Sequence, residues 1–298
     1  MKILVTGSGG FIGSQVLSRL AEEGHTLVPF DITSGNDILD RDEVDSAVGA
    51  GIDVVYHIAA QADLTKIASV DDAYQTTELN VTGTHNVAYA CAKYGVWMVY
   101  ASTVCVYGNQ EQHPETEDAT LPNPSELYAY TKWAGEQVVR GYGINFGMPY
   151  TILRFATIYG PGMREALATH IFFNQAYAGE DITVHGTGTQ DRTQTYVGDL
   201  VDGIVAVHRH PEAQGHIINL TATESISVNR MAEDIKRITN SPSRIVHTAD
   251  RANQTFREDF STEKAKNLLG WTPEHSWEEG LEKTAAWLEA EKGYAKHR

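Results

Sequence analysis

Two kinds of segment alternate along the first two-thirds of the chain. Short apolar runs of the kind found in buried strands predict strands at Lys2–Thr6, Thr26–Phe30, Val54–Ile58, Trp97–Ala101 and Tyr150–Phe155. Stretches with apolar residues at helical spacing predict helices at Phe11–Glu23, Arg41–Val48, Leu79–Tyr94 and Tyr128–Tyr142. This alternation indicates βαβ units, and therefore an α/β fold with a doubly wound parallel sheet covered by helices on both faces.

After about Gly160 the alternation becomes looser. Further helices are predicted at Ala166–Ala178, Val228–Ile238 and Ser276–Glu291, and strands at Ile182–His185 and His216–Leu220. We therefore expect a principal domain over residues 1–160 and a smaller C-terminal lid over residues 161–298. The chain is expected to re-enter the principal domain at about 190–220.

Composition narrows the class of partner. The 298 residues include 23 basic and 39 acidic side chains, for a net charge of −16, so no nucleic acid and no acidic lipid surface is expected as a partner. Nothing resembles a signal peptide or a membrane span, which favours the cytoplasm. The two cysteines, Cys91 and Cys105, form no disulfide framework and show no metal-ligand spacing, so no metal is expected.

A glycine-rich turn, TGSGGFIG at residues 6–13, follows the first strand and opens the first helix. Gly7, Gly10 and Gly13 have separate physical roles there. One allows the tight turn, one lets the backbone approach a pyrophosphate, and one lets the helix pack closely on the strand. The free N–H groups of the helix then face the phosphates, so the segment predicts a dinucleotide site.

An acidic residue, Asp31, stands at the end of the second strand. A carboxylate at that position accepts hydrogen bonds from the adenosine ribose hydroxyls and repels a 2′-phosphate, so NAD is favoured over NADP. The alternative is that Asp31 only caps a loop. Asp37 and Ile38 occupy positions that resemble a segment touching adenine.

Tyr128 and Lys132 lie four residues apart at the start of a helical pattern, which places both side chains on one helix face. An ammonium group beside a phenol favours the phenolate, so such a tyrosine can exchange a proton with a substrate hydroxyl. Tyr130 is excluded as the partner because Ala134 is its fourth following residue. A tyrosine–lysine pair at this spacing also arises by chance, and a structural role is its alternative interpretation.

In the order of its motifs the chain resembles the extended short-chain dehydrogenase/reductases, the NAD-dependent epimerase/dehydratase branch that includes UDP-glucose 4-epimerase. The resemblance covers nearly the whole chain. The motifs that carry it are TGSGGFIG (6–13), Asp31, HIAA (57–60), NVTGT (80–84), ASTVCVYG (101–108), YAYTK (128–132), LRF (153–155), YGP (159–161), DRTQTYVGDL (191–200) and LLGWTP (268–273).

The resemblance implies a Rossmann-type fold, NAD as cofactor and a nucleotide sugar as substrate. Thr103, Tyr128 and Lys132 take the catalytic roles. The expected cofactor-binding residues are Gly7, Gly10, Phe11, Ile12, Gly13, Asp31, Ile32, Asp37, Ile38, Ala59, Ala60, Asn80, Ser102, Tyr128, Lys132 and Phe155. The expected substrate-binding residues are Thr103, Tyr128, Thr157, His170, Arg192 and Arg257.

Within this family, Arg192 matches the arginine aimed at the substrate diphosphate, a task suited to a permanently charged fork. Its alternative role is a surface ion pair with a neighbouring acid. Arg257 or Arg251 is expected to supply a second phosphate contact. Thr157 stands where such enzymes often have asparagine, which alters a contact near the nicotinamide or the substrate. The family also implies a homodimer that packs the helices around 79–94 and 128–142 into a four-helix bundle.

The residues after Thr103 favour one reaction. Sugar 4,6-dehydratases resemble one another in carrying Asp-Glu there, and nucleotide-glucuronate decarboxylases carry a Glu at the second position, but this chain has Val104 and Cys105. A 4-epimerase needs no extra acid or base, because the 4-keto sugar turns over and takes the hydride back on its other face. The expected activity is therefore an NAD-dependent nucleotide-sugar 4-epimerase of the UDP-glucose/UDP-galactose type or its uronic-acid or amino-sugar relatives.

Four alternatives stay open. One is a nucleotide-sugar dehydratase or decarboxylase, although the missing carboxylates disfavour it. Cys105 stands where some 3,5-epimerases and epimerase/reductases carry a cysteine that moves a carbon-bound proton, with His170 as a possible partner. A simple oxidoreductase acting on an uncharged ketone is disfavoured because Arg192 suits a phosphate. A non-enzymatic NAD sensor is disfavoured because Tyr128 and Lys132 are both present.

Overall fold

The computed structural model describes residues 1–63, 66–110, 113–119, 124, 126–250 and 257–297. Its strands are β1 Lys2–Thr6, β2 Thr26–Phe30, β3 Val54–His57, β4 Trp97–Thr103, β5 Tyr150–Phe155, β6 Thr157–Tyr159, β7 Ile182–His185, β8 Asp191–Tyr196, β9 His216–Leu220, β10 Ser225–Ser227 and β11 Ile245–Thr248. Its α-helices are α1 Phe11–Glu22, α2 Arg41–Gly49, α3 Val70–Thr77, α4 Thr84–Tyr94, α5 Leu127–Phe146, α6 Ala168–Ala178, α7 Val197–Ala206, α8 Val228–Ile238, α9 Glu263–Leu269 and α10 Trp277–Lys292.

The principal sheet has six strands in the order β2-β1-β3-β4-β5-β9, and every neighbouring pair is parallel. Each of these strands except β2 is buried along most of its length, because helices cover both faces. This confirms the α/β, Rossmann-type doubly wound fold. The chain leaves β1 toward β2 on one side and reaches β3 on the other, so the carboxyl ends of β1 and β3 border the crevice where such sheets bind ligands.

The smaller part of the molecule contains two further sheets, β10-β8-β6 and β11-β7. They pack with α6, α8 and α10 around a separate apolar core that includes Phe173, Ile235 and Leu281. Strand β6, which pairs in one of these smaller sheets, starts at Thr157, four residues before the predicted start of the lid at residue 161. The chain re-enters the principal domain through α7, which packs on α1, and through β9.

The helix predicted at Leu79–Tyr94 begins earlier than the sequence analysis indicated. Ser69 and Asp72 form a capping box that starts α3 at Val70, and a π-helical turn at Glu78–Gly83 joins α3 to α4. The polar composition of α3 hides its helical period. The π turn carries the buried side chain of Asn80, a placement typical of such turns at functional sites.

Several elements after β5 were missed by the apolar pattern, and β8 and α7 show why. Strand β8 buries Thr193, Gln194 and Thr195, whose hydrogen bonds replace the expected apolar residues. Helix α7 is buried on most sides and therefore shows no polar face. Within the described parts of the chain, every helix is too short or too polar to cross a membrane.

Candidate active site

The glycine turn packs tightly enough to exclude side chains. Gly7 adopts a φ of +71°, and a Cβ there would lie 2.6 Å from the backbone nitrogen of Ala59. A Cβ on Gly13 would lie 2.0 Å from the carbonyl oxygen of Gly7. Helix α1 therefore starts directly against β1 and β3, and its N-cap, Gly10, offers no side chain to the first helical N–H groups. The turn has the form of a phosphate cradle.

Asp31 follows β2 and faces this turn. One carboxylate oxygen accepts a hydrogen bond from the Gly9 N–H at 2.9 Å, and the other accepts from the N–H and hydroxyl of Thr33 at 2.9 and 2.7 Å. Burial alone would raise the pKa of Asp31, but the hydrogen bonds from Thr33 and Gly9 outweigh it and hold the pKa below its usual value. The side chain does cap the loop, and it also fixes a negative charge beside the cradle.

Four further residues predicted to bind the cofactor are Asp37, Ile38, Ile32 and Asn80. Asp37 accepts a hydrogen bond from the Leu39 N–H at 2.9 Å, and the Ile38 side chain is buried below Gly83. Ile32 is exposed beside Asp31. Asn80 bridges two walls of the crevice, because its amide donates to the Thr131 hydroxyl at 3.0 Å and its oxygen accepts from the N–H of residue 61 at 2.8 Å.

Thr103, Tyr128 and Lys132 meet at the carboxyl end of the principal sheet. Thr103 is the last residue of β4, and its side chain lies close enough to the Tyr128 hydroxyl to oppose the rise in the pKa of that hydroxyl. Tyr128 and Lys132 lie one turn apart at the start of α5. The Lys132 ammonium lies 4.3 Å from the centre of the Tyr100 ring. The structure thus brings together the three residues that the sequence assigned to catalysis.

Burial in the crevice shifts the pKa values of both Tyr128 and Lys132. Burial raises the pKa of Tyr128 above its ordinary value, with the thiol of Cys105 adding to the shift and Arg164 and Thr103 opposing it. Burial lowers the pKa of Lys132 to about 7, and the carboxylate of Glu136 opposes this change. Lys132 is therefore protonated at neutral pH only where neighbouring groups stabilise its ammonium form.

Glu136 supplies that support from the next turn of α5. Its carboxylate is fully buried and accepts bonds from the Arg154 Nε at 2.9 Å and Nη2 at 2.7 Å. The Ser102 hydroxyl donates to the same carboxylate at 2.6 Å. The Ser102 side chain, predicted to bind the cofactor, is therefore turned toward Glu136. The Arg154 guanidinium lies 4.7 Å from the centre of the Tyr107 ring.

On the lid side, Arg192 lies on β8. Its Nη1 donates to the Asp191 carbonyl at 2.7 Å, and its Nε lies 3.6 Å from the Glu258 carboxylate. Burial raises the pKa of Glu258, and Arg192 opposes the rise. Arg257 is exposed and pairs with Asp259 at 2.9 Å. Arg192 therefore has the ion-pair contact that its alternative interpretation required, and Arg251 lies outside the described residues.

Cys105 and His170 are not brought together. Cys105 follows Thr103 at the crevice, where desolvation by the walls raises its pKa to about 11, with Glu258 and Glu126 adding to the shift. His170 lies on α6 inside the lid core, with its ring 6.5 Å from the Trp287 ring. Among the residues that the structure describes, neither of its ring nitrogens has a hydrogen-bond partner. Its position fits a core residue rather than a partner of Cys105.

Phe155 and Thr157 flank the end of β5 and the start of the lid. Phe155 is buried in the principal core, opposite Thr103 in the sheet register. Thr157 is half-buried at the start of β6, opposite Gln194. Their predicted contacts with cofactor and substrate stay predictions.

Three residues at the site were not singled out from the sequence. Arg164 lies three residues beyond the YGP segment and is close enough to Tyr128 to lower its pKa. Glu258 lies next to Arg192. Trp287 of α10 lines a groove of about 440 Å³ beside the glycine turn. In the same groove the Gln15 amide donates a hydrogen bond to the Pro161 carbonyl at 3.0 Å. The position of Arg164, three residues after YGP, was a usable signal in the sequence. The positions of Glu258 and Trp287 at the site depend on long-range packing.

The chain is similar to known proteins over nearly its whole length. The profile of the NAD dependent epimerase/dehydratase family matches residues 3–221. UDP-N-acetyl-alpha-D-glucosaminuronate decarboxylase from Bacillus cytotoxicus is 30% identical over 96% of this chain and 97% of its own. UDP-glucose 4-epimerase from Thermotoga maritima, solved with UDP-glucose, has a TM-score of 0.90 at 28% identity, covering 97% of this chain and 99% of that one.

UDP-glucuronic acid 4-epimerase from Bacillus cereus, solved with UDP-glucuronic acid and NAD, has a TM-score of 0.89 at 29% identity, with coverage of 97% and 99%. The relatives carry different reactions at similar identity, so similarity alone does not select one. The glycine cradle and the Asp31 carboxylate fit NAD, the cofactor of the family. This chain is a member of the NAD-dependent epimerase/dehydratase family of nucleotide-sugar enzymes.

Proposed function

We propose that the protein is a nucleotide-sugar 4-epimerase. The observation that carries the proposal is the catalytic group itself: Thr103, Tyr128 and Lys132 stand together, while the two positions after Thr103 hold Val104 and Cys105. Dehydration and decarboxylation need a carboxylate or an equivalent base beside the sugar, and these two positions supply none. Epimerisation at C4 needs only one proton-transfer residue.

The side chains divide the work. Thr103 orients the C4 hydroxyl toward Tyr128, and Tyr128 removes the hydroxyl proton and later returns it. The Lys132 ammonium, supported by Glu136, favours the phenolate form of Tyr128. NAD, held by the glycine turn and Asp31, would supply the hydride acceptor and donor that inversion at C4 requires. In this proposal Arg192 donates a charge-assisted hydrogen bond to the substrate diphosphate.

Arg164 favours an anionic sugar. Its positive charge acts on Tyr128, and the C5 substituent of the sugar is next to the C4 position at which Tyr128 acts. A carboxylate at C6 would meet that charge, whereas a hydroxymethyl group would gain little. We therefore propose UDP-glucuronate or a related uronic acid as the preferred substrate class, ahead of UDP-glucose.

Incubation in D2O with NAD and UDP-, dTDP- and GDP-linked sugars, followed by mass spectrometry and NMR, tests the proposal. A stereoisomer with no carbon-bound deuterium supports hydride return and a 4-epimerase. Deuterium on carbon at unchanged composition would overturn it and favour a reaction at C3 or C5. Loss of water or of carbon dioxide would overturn it in favour of a dehydratase or a decarboxylase.

The substrate class is tested by comparing UDP-glucuronate with UDP-glucose. We expect Arg164→Ala to lower kcat/KM for UDP-glucuronate about tenfold or more and to leave that for UDP-glucose within about twofold. Equal losses on both sugars would remove the proposed role for Arg164 while leaving the 4-epimerase assignment intact.

We also propose a homodimer formed through α4 and α5. Exposed aromatic side chains on these helices support the proposal, including Tyr89 and Tyr130, and Phe146 lies 5.5 Å from the ring of Tyr142. Such rings are typical of interface cores. Light scattering on the purified chain should give twice the monomer mass, and Tyr89→Glu should shift it toward the monomer.

A further inference from the structure

A cluster of three side chains lies far from the catalytic residues, at the amino edge of the principal sheet. Glu23 ends α1 and His25 precedes β2, with Gly24 at a φ of +78° between them. His208 follows α7, almost two hundred residues later in the chain. The three side chains are only 5–20% exposed. None of them belongs to the crevice at the carboxyl edge.

The three ligand atoms form a nearly equilateral triangle. The Nε2 atoms of His25 and His208 are 3.2 Å apart, and the Glu23 Oε2 lies 3.3 Å from the first and 3.5 Å from the second. A zinc ion bound at about 2.0–2.1 Å in a tetrahedron has ligand atoms about 3.3 Å apart. The observed edges are therefore those of a tetrahedral metal site with three protein ligands.

The surrounding residues fix the ligands as outer partners do in metal sites. The Tyr56 hydroxyl lies 3.0 Å from the His208 Nδ1. If it accepts the Nδ1 proton, the Nε2 lone pair faces the cluster. The Arg209 guanidinium contacts the other oxygen of Glu23, Oε1, and leaves Oε2 directed at the two imidazoles. Without an ion, a proton on the His25 Nε2 is shared between the Glu23 Oε2 and the His208 Nε2. Metal binding therefore requires His25 to carry its proton on Nδ1 instead.

We propose that Glu23, His25 and His208 bind one divalent ion of the zinc class. Two imidazole nitrogens and one carboxylate oxygen are ligands that suit Zn²⁺, and the fourth position is open to water. The ion would join the α1–β2 turn to the segment after α7 and so hold the re-entering chain against the principal domain. The site is independent of the reaction that the crevice carries out.

Titration of the EDTA-treated, full-length protein with ZnCl2 by calorimetry tests the site. We expect one zinc ion per chain, and we expect His25→Ala and Glu23→Gln each to weaken binding about tenfold or more. Zinc should raise the Tm of the wild-type protein but not that of His25→Ala. Cobalt should give the intense visible bands of tetrahedral coordination in the wild-type protein only.

The matched control is His210→Ala, which removes a nearby half-buried histidine whose ring lies 3.0 Å from the Glu212 carboxylate, outside the cluster, and should leave zinc affinity unchanged. Cys105→Ser excludes zinc bound at the crevice thiol. The proposal would be overturned if the wild-type protein bound no zinc. It would also be overturned if His25→Ala and Glu23→Gln bound zinc as tightly as the wild-type protein. Because His25 and Glu23 lie toward the surface, circular dichroism is expected to show both variants folded, and either one alone suffices for the comparison.

Discussion

The half of the crevice that we propose for the cofactor and the half that we propose for the substrate differ in composition. The cofactor half is made of backbone: Gly7 and Gly13 lie against main-chain atoms with no room for a Cβ. The substrate half is made of charged side chains that compensate one another, such as Arg192 with Glu258 and Arg257 with Asp259. A backbone cradle accepts one shape of ligand, whereas a set of paired charges can be rearranged to suit many sugars.

This difference explains why family members share a cofactor and differ in reaction. The cradle depends on a short stretch of glycine-rich sequence, and most substitutions there would destroy it. The substrate half draws on β8, the segment before α9 and the residues after YGP, each of which can change alone. Substitutions in the two halves, and at the catalytic group between them, should therefore fail in different ways.

The largest effect on activity is expected at Tyr128, between the two halves. Tyr128→Phe removes the group that exchanges the substrate proton, and kcat should fall about 10³-fold, within the range of general acid–base effects. NAD affinity, measured by fluorescence titration, should stay within about twofold. Tyr130→Phe, an exposed change two residues along the same helix, should leave kcat unchanged. Residual activity above a tenth of wild type would contradict the role of Tyr128.

Glu136→Gln should lower stability by about 3 kcal/mol, because it leaves the buried Arg154 guanidinium unpaired. It also removes the anion that supports the Lys132 ammonium, so the pKa of Lys132 should fall below its value of about 7. Catalysis uses the protonated lysine, so the high-pH limb of the kcat profile should move to lower pH. Chemical denaturation and pH–rate profiles measure the two effects separately.

The double variant Glu136→Gln/Arg154→Met separates positioning from packing. Replacing both charges should recover most of the lost stability, while the pH profile stays shifted. A wild-type profile in the double variant would show that Glu136 acts only on folding.

The sign of the Lys132 contribution to stability follows from its pKa values. The folded value of about 7 lies below the ordinary value of 10.5, so the unfolded chain binds more protons between these limits. Stability from this group therefore rises with pH through that window and is lowest below pH 7. Lys132→Met should flatten this part of the stability profile.

The backbone half is tested by Gly13→Ala. The added methyl group would meet the Gly7 carbonyl oxygen, a main-chain atom that cannot move aside. We expect a loss of about 1–3 kcal/mol in stability and weaker NAD binding. Gly141→Ala on α5, where a Cβ meets nothing within 4 Å, should instead stabilise by about 0.5–1 kcal/mol. Equal behaviour of the two variants would contradict the cradle.

The same contrast limits what could be predicted from the sequence. The strands β1, β2, β5, β7 and β9 and helix α8 have the predicted bounds, because apolar period and burial agree there. Tyr128, Lys132 and the glycine turn were found because their spacing is local. The pairing of Arg192 with Glu258, and the cluster of Glu23 with His208, join positions far apart in sequence, and no periodicity reports such contacts.

His170 shows a further limit of the sequence. The sequence left it open as a partner for Cys105, whereas in the structure its side chain is buried on α6 beside Trp287. Sequence position placed it on the correct element, but only packing of α6 against α10 decides which face of that helix meets the crevice. Side-chain direction in the lid was therefore beyond the reach of the pattern.

The smallest effects should come from the charged half. Arg192→Ala should raise KM for the nucleotide sugar about tenfold, since one charge-assisted bond to phosphate is lost, with kcat changed less than about threefold. Arg257→Ala removes an exposed arginine whose ion pair is worth at most about 1 kcal/mol, so stability should hardly change. Its effect on KM decides whether it is a second phosphate contact.

Steady-state kinetics at low and high salt separate these arginines. A diphosphate contact weakens with added salt, so the KM difference between wild type and Arg192→Ala should narrow as salt rises. Arg192→Lys keeps the charge but loses the planar fork, and an intermediate KM is expected. If Arg257→Ala raises KM more than Arg192→Ala, the exposed arginine is the main phosphate ligand and Arg192 serves chiefly to neutralise Glu258. The substrate half would then be organised around residues 257–259 of the lid, and the comparison between the two halves would still hold with different residues in the charged one.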